Sequence, residues 1–457
     1  MKKIICLLLI FVFALPLISC KKYKAFINEV SIQSYTIVFS DEDPDYSKRA
    51  AEYIQSEIKS RTGHELRIVE DDTSKAEYEI VVGNTNRAIS EKLDADTEGL
   101  EFAILADGGS IALEGDYFII AAAAYFFINT YVPGGDSEAT VPSEISVHKP
   151  IVEKANNFIL LIGDGMGYYQ TKLFEQMEND IEYGDGEDIF YGWLLPYQGF
   201  SRTNSLTGVT DSAAGGTALS CGIKTNNRYI GMDKDKNEVM NMTELAHRLG
   251  KNAGVMSTEI YSGATPSTFF AHTDDRGNSA EILKDKMDAY QNYGTIVECG
   301  YSYYTKRDIE KINDVYINDT LSEISDGEDG FFLMYEEAYI DKHCDDMDIT
   351  KAFQAMVRFN HAIGKFMEFA FYHPDTFVLI TADHETGDLT PNENGVLEFH
   401  TTEHTGANVP IFAYGQGAEL FDGVEIENIQ IAHTIAALMG EENFGDQSVY
   451  QSLTKSK

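Results

Sequence analysis

Three carboxylates, two imidazoles and a serine stand where strands are expected to end, and together they could hold metal ions beside a nucleophile. The run FILLIG delivers Asp164 within GDGMG, where glycines let the backbone approach a ligand closely while the carboxylate projects. The run FVLITA ends in Asp383 and His384, and His404 follows in EHTG. With Asp341 in EEAYIDKHC these make an Asp/His set of the hard and borderline ligands that zinc accepts. One such residue alone is more often structural; together they favour a metal site. Ser212 lies in TGVTDSAAGGTALSCGIKT, after Asp211 and before small residues that could open a helix. A hydroxyl there would sit beside free backbone N–H groups, which suit an oxyanion. An ordinary helix cap is the simpler local reading.

The elements that must position these residues are legible as alternating patterns. From Asn156 onward the apolar runs FILLIGDG, KNAGVMST, GFFLMYEE, DTFVLITAD and VPIFAYG are separated by helical segments such as DITKAFQAMVRFNHAIGKFMEFA. Apolar strands spaced by amphipathic helices predict an α/β fold with a largely parallel, doubly wound sheet, whose sites lie beyond the carboxyl ends of the strands. Before it, residues 27–139 predict a small α+β sandwich. SYTIVFS alternates as a strand, a helix follows with Ala50, Ile54 and Ile58 on one face, and HELRIVE and YEIVVGN are strand-like. EFAILAD and SIALEGD form a hairpin across Gly108 and Gly109, and YFIIAAAAYFFINTYV reads as a buried core helix too short to span a bilayer. Residues 140–155, with Pro142 and Pro150, are expected to be a linker, and 156–457 the domain that carries the metal-site candidates.

GDGMG, TDSAA with GIKT behind it, ATP followed by AHTDDR, EEAYID, TADH and EHTG stand in the order found in alkaline phosphatases, and the chain resembles that family from residue 156 to about 440. The resemblance implies that Ser212 accepts the phosphoryl group. It implies one zinc held by Asp164, Asp383 and His384 and a second by Asp341 and His404, with the metal-dependent hydrolysis of phosphate monoesters as the activity. It further implies a magnesium on Asp164, Thr265 and Glu336, an all-oxygen set suited to a hard cation. Arg276 matches a phosphate-clamping arginine beside Asp211, and Lys342 a lysine that contacts phosphate through water. Two positions depart from the pattern. Gly263 stands where His or Asp usually precedes the magnesium threonine, and Asp345 where a histidine should complete the second zinc site, with His343 as the alternative ligand. The N-terminal segment resembles the accessory domain of α-glucuronidases and hexosaminidases in its TGxEL turn (TGHEL, Thr62–Leu66), its IVVGNTNR segment and its apolar helix; no catalytic set is evident in it.

Met1, Lys2 and Lys3 followed by an apolar run to Leu17 predict a signal peptide over residues 1–19. LISC then reads as a lipobox, so Cys20 is the expected lipidation site, 20–26 a tether, and the protein extracytoplasmic and anchored to a bacterial membrane; a plain secretory signal is the bland alternative. Losing both lysines takes the formal charge of −39 to about −41, which argues against nucleic acid as a partner. Of five cysteines, Cys6 leaves with the signal, and Cys221, Cys299 and Cys344 lack any CxxC spacing and are expected to be small buried residues. Glycans at the N-terminal domain and a homodimer are further partners this reading admits. The competing functions are a diesterase, sulfatase or phosphonate hydrolase on the same scaffold, and a surface glycan-binding protein that has lost turnover.

Overall fold

The structure, a computed structural model, describes residues 22–41, 44–93, 95–177, 189–299 and 306–445. The expected signal peptide, Cys6 and the lipidation site Cys20 lie outside them. The chain divides into two compact units, one of residues up to 94 with 104–113 and 124–146, the other of 95–103, 114–123 and 147 onward.

The N-terminal unit is organised on a six-stranded sheet. Thr36–Phe39 lies between Arg67–Glu70 and Glu79–Val82, both parallel to it, and Ser110–Glu114 follows parallel to Glu79–Val82. The helix Pro44–Thr62 buries Ala50, Ile54 and Ile58 as its four-residue spacing predicts, and stops at Gly63, whose φ of 77° a side chain would resist. Gly108 and Gly109, both at positive φ, turn Phe102–Asp107 back into Ser110–Glu114. The apolar helix Ile119–Tyr131 buries its alanines; no described helix is long and apolar enough to cross a membrane. Two boundaries differ from expectation. The strand Ala25–Ile27 lies in the expected tether, and Ser146–His148 in the expected linker adds an edge strand to the six-stranded sheet. Such three-residue strands are too short to carry a readable alternation.

The second unit is α/β, built on an eight-stranded sheet in the order Ile296–Cys299, Asn252–Ser257, Phe331–Glu337, Asn157–Gly163, Thr376–Thr381, Val409–Tyr414, Tyr197–Arg202, Glu425–Glu427. Val409–Tyr414 runs antiparallel to both neighbours, and the other pairs are parallel. The central strands are buried on both faces, which explains their unbroken apolar runs. Phe158, Leu160, Ile162, Phe332 and Met334 face one core with residues of the helices Ser212–Cys221, Met242–Arg248 and Ile429–Leu438. On the other face Tyr335 meets Phe359 and Phe366 of the helix Ile349–Tyr372, whose N-cap Asp348 accepts from Lys351 N. Helices thus cover both faces. Register then fixes the site: Gly163 pairs with Glu337, and Ile162 with both Glu336 and Thr381, so Asp164, Glu336 and Asp383 emerge side by side at the carboxyl edge.

Candidate active site

Three buried acceptors converge where the central strands end. His384 Nε2 lies 3.3 Å from Asp164 Oδ1 and 3.4 Å from Asp383 Oδ2. The tautomer follows from the partners of the other ring nitrogen. Thr386 Oγ1 donates to Asp341 Oδ1 at 2.5 Å, so its oxygen accepts from His384 Nδ1 at 3.2 Å, and Nε2 presents a lone pair to the two carboxylates. Burial holds this imidazole below its ordinary pKa and therefore neutral, the form that ligates metal. A lone pair facing carboxylates in a buried place is unfavourable unless a cation, or a proton, lies between them. Asp164 Oδ1 has no hydrogen-bond donor among the described residues, and burial, then the charges of Asp383, Asp341, Glu336 and Glu259, raises its carboxyl well above the ordinary range. This donor set fits a divalent cation.

A second set adjoins the first. The His404 ring stacks on His384 at 3.6 Å between centroids, and its Nδ1 donates to the Thr210 carbonyl at 2.9 Å, leaving Nε2 to face Asp341 Oδ1 at 3.5 Å. Asp341, His384 and His404 offer ligand atoms within 4.8 Å of one another, as do Asp164, Asp383 and His384. Asp345 lies at the exposed rim of this set. Its carboxyl is pushed up to about 6 by partial burial and by Asp341, with His404 acting in the opposite sense. His343, two positions earlier on the same helix Tyr339–Asp345, turns elsewhere. Its ring meets Tyr339, and burial followed by the Arg358 charge lowers its pKa. The charges of Asp341 and His404 act on Asp345, but neither it nor His343 belongs to the described groups whose ligand atoms lie within 4.8 Å of one another.

The third expected set is all oxygen. Thr265 Oγ1 lies 3.4 Å from Asp164 Oδ2 and 3.3 Å from Asp383 Oδ2. Ser257 Oγ donates to Glu336 Oε2, while Glu336 Oε1 is buried without a hydrogen-bond partner among the described residues. Burial and the Glu259 charge push the Glu336 carboxyl up to about 8. Its neighbour Glu337 points to the other side of the strand and pairs with Arg358 at 2.8 Å. Unpartnered oxygens in an all-oxygen set again fit a hard cation.

Ser212 opens the helix Ser212–Cys221 but does not cap it. Asp211 is the N-cap, accepting from Ala214 N at 3.0 Å and from Arg228 N, so the serine hydroxyl is left free of that duty. Its Oγ lies 3.2 Å from His384 Nε2. The helix can approach this closely because it opens with small residues: a Cβ on Gly215 would lie 2.8 Å from the Asp383 carbonyl oxygen. Gly165, at φ 75°, likewise passes so near Asp341 that a Cβ would lie 2.8 Å from its Cα. Arg276 Nη1 donates to Asp211 Oδ2 at 3.2 Å, and its charge reaches His384. Asp211, expected at the substrate, thus serves here as helix cap and arginine anchor. Lys342 is paired with the Glu259 carboxylate and lies 4.6 Å from the centre of the Tyr339 ring. Cys221 and Cys344 are buried and Cys299 half-buried; all three are free thiols, and burial pushes Cys221 up to about 12.

Sequence reasoning missed the residues that orient these groups. Thr386, Ser257 and the Thr210 carbonyl each fix a named side chain, yet none stands in a spacing that signals a role. Glu259, two residues beyond the end of the strand Asn252–Ser257, also carries no sequence signal.

A model of the alkaline phosphatase family matches residues 155–299 and 314–398. Among curated proteins, Alkaline phosphatase 4 of Bacillus subtilis (strain 168) is 27% identical over 321 residues, covering 58% of this chain and 68% of its own length. Alkaline phosphatase 3 of the same organism is 28% identical over 328 residues, covering 60% and 70%. Among solved structures, the alkaline phosphatase from the Antarctic bacterium TAB5 superposes with a TM-score of 0.53 at 26% identity, covering 63% of this chain and 98% of that one.

Proposed function

The chain belongs to the alkaline phosphatase family, and from that premise we propose that it hydrolyses phosphate monoesters by passing the phosphoryl group through Ser212. The observation that supports this best is the placing of the Ser212 hydroxyl. It stands at a helix N-terminus whose cap is another residue, 3.2 Å from the imidazole nitrogen on which the acidic ligands converge. In this reading Asp164, Asp383 and His384 hold one zinc, Asp341, Asp345 and His404 a second metal, and Asp164, Thr265 and Glu336 a magnesium. Bound there, the cations would lower the pKa of the serine hydroxyl and stabilise the oxygen that departs.

The chain's own groups supply the rest. Ser212 Oγ bonds to phosphorus while the ester P–O bond breaks, and the proton it gives up ends on the departing oxygen, which leaves as the alcohol. The N–H groups at the start of the Ser212 helix and the Arg276 fork neutralise the equatorial oxygens as their charge grows. Asp211 holds that guanidinium at the site without ligating metal. Water then attacks from the vacated side, the Ser212 O–P bond breaks, and the hydroxyl regains its proton. The test is turnover of one aryl leaving group as phosphate monoester, phosphate diester and sulfate ester by metal-replete protein. The monoester should be fastest. Faster diester or sulfate turnover would instead establish one of the competing hydrolase readings, and no turnover of any would favour a binding protein.

A further inference from the structure

Gly263 stands where the resemblance leads one to expect a histidine or aspartate beside the third, all-oxygen site, and the space such a side chain would fill is already taken. A Cβ at Gly263 would lie 2.4 Å from Glu259 Oε1, 2.5 Å from its Cδ and 2.7 Å from its Cγ. The Glu259 side chain therefore lies across the glycine, and no larger residue at 263 could coexist with it in this position. Glu259 is also tied to the site through its backbone. Its N–H donates to Ser257 Oγ at 2.9 Å, and that hydroxyl in turn donates to Glu336 Oε2. Its charge acts on both Glu336 and Asp164. The neighbouring Glu336 Oε1 is fully buried and has no hydrogen-bond partner among the described residues. On the far side Glu259 Oε2 pairs with Lys342, which fixes the carboxylate in place.

We propose that Glu259 supplies, from the turn after the strand Asn252–Ser257, the carboxylate that the third site lacks at position 263, and so serves a hard divalent cation held by Asp164, Thr265 and Glu336. The glycine is then the complement of the glutamate rather than a loss. Two side chains cannot occupy the same space, and two adjacent carboxylates would repel. Glu259 acts on the water shell of the cation, and Lys342 balances its charge. The inference rests on the third site of the proposed function.

The experiment is magnesium titration by calorimetry of zinc-loaded protein, with metal per chain counted after dialysis. Glu259→Gln keeps the shape and removes the charge, and it should weaken magnesium by about tenfold or more, the range usual for groups that support a ligand shell. Gly263→Asp should also weaken magnesium, because it collides with Glu259. Glu259→Ser combined with Gly263→Asp moves the carboxylate to the other position and should restore binding toward the parent value. Lys342→Met removes the partner that holds Glu259 but leaves the carboxylate, so it should weaken magnesium less than Glu259→Gln does; an equal or larger loss would mean that the ion pair, not the carboxylate, matters. Unchanged affinity in Glu259→Gln, or a double variant no better than Gly263→Asp alone, overturns the inference. Glu336→Gln separates the two levels of the argument. If it too leaves magnesium affinity unchanged, the third site itself is wrong; if it abolishes binding while Glu259→Gln does not, only the role of Glu259 falls.

Discussion

Asp345 is the residue at which this chain departs most from its family pattern, and its position carries a consequence for the metal it would share. A carboxylate in place of imidazole makes the set with Asp341 and His404 harder and adds a negative charge close to the phosphoryl group. The second metal should therefore be weakly held and exchangeable with magnesium or manganese. Asp345→His should tighten zinc there by about tenfold or more and raise turnover of aryl phosphates, whereas His343→Ala, whose ring faces Tyr339 and Arg358, should leave zinc content unchanged. Zinc titration of both variants checks this, and the opposite pattern would mean that His343 is the ligand. Asp164, Asp383 and His384 stand out in the sequence because they follow directly on apolar runs, whereas Thr265, Glu336 and Asp345 are reached only through the family resemblance. The orienting partners are reached by neither route: Thr386 and Ser257 are ordinary residues in sequence, and only the fold reveals which carboxylate each hydroxyl meets.

At the scale of elements, the apolar runs announced the central strands because burial on both faces removes polar interruptions. The strand Tyr197–Arg202, with the sequence YQGFSR, escaped notice because its polar positions obscure any period. The antiparallel course of Val409–Tyr414 escaped as well, since pairing direction leaves no mark on composition. The helix Ser212–Cys221 shows how an element serves the site through what it lacks. Gly215 would ordinarily cost about 1 kcal/mol of helix stability relative to alanine. Against that gain, a Cβ would lie 2.8 Å from the Asp383 carbonyl oxygen and 3.1 Å from its Cβ, and overpacking of this kind costs about 1–3 kcal/mol. The clash should win. Gly215→Ala is expected to lower the unfolding free energy by a net of about 0–2 kcal/mol, read as a lower denaturant midpoint at constant slope, and to weaken zinc binding by pushing the helix away from Asp383. A variant more stable than the parent with unchanged zinc affinity would show that the close approach is not needed.

For the whole molecule, the buried acids couple folding to metal and to pH. The Glu336 carboxyl is raised from its ordinary 4.5 to about 8, with burial as the first cause. A raised carboxyl keeps its proton in the folded state after the unfolded chain has lost it, so its contribution is fully present below about pH 4.5, declines as pH rises, and is gone above about 8. After chelation, Glu336→Gln should accordingly gain stability over the parent progressively across that window, as read from denaturant melts at several pH values. A constant difference would contradict the burial of an unpaired carboxyl. Metal should reverse the trend, since it binds the ionised form and releases the proton. The N-terminal unit was legible in its helix and hairpin, while its edge strands were too short to read. The central claim for the molecule is a phosphoryl group carried on one serine, and the most direct test is to incubate metal-loaded protein with labelled phosphate, quench in acid and map the label by mass spectrometry. The account predicts a phosphoserine at Ser212 that disappears in Ser212→Ala; label on another residue, or equal label in the variant, would contradict it.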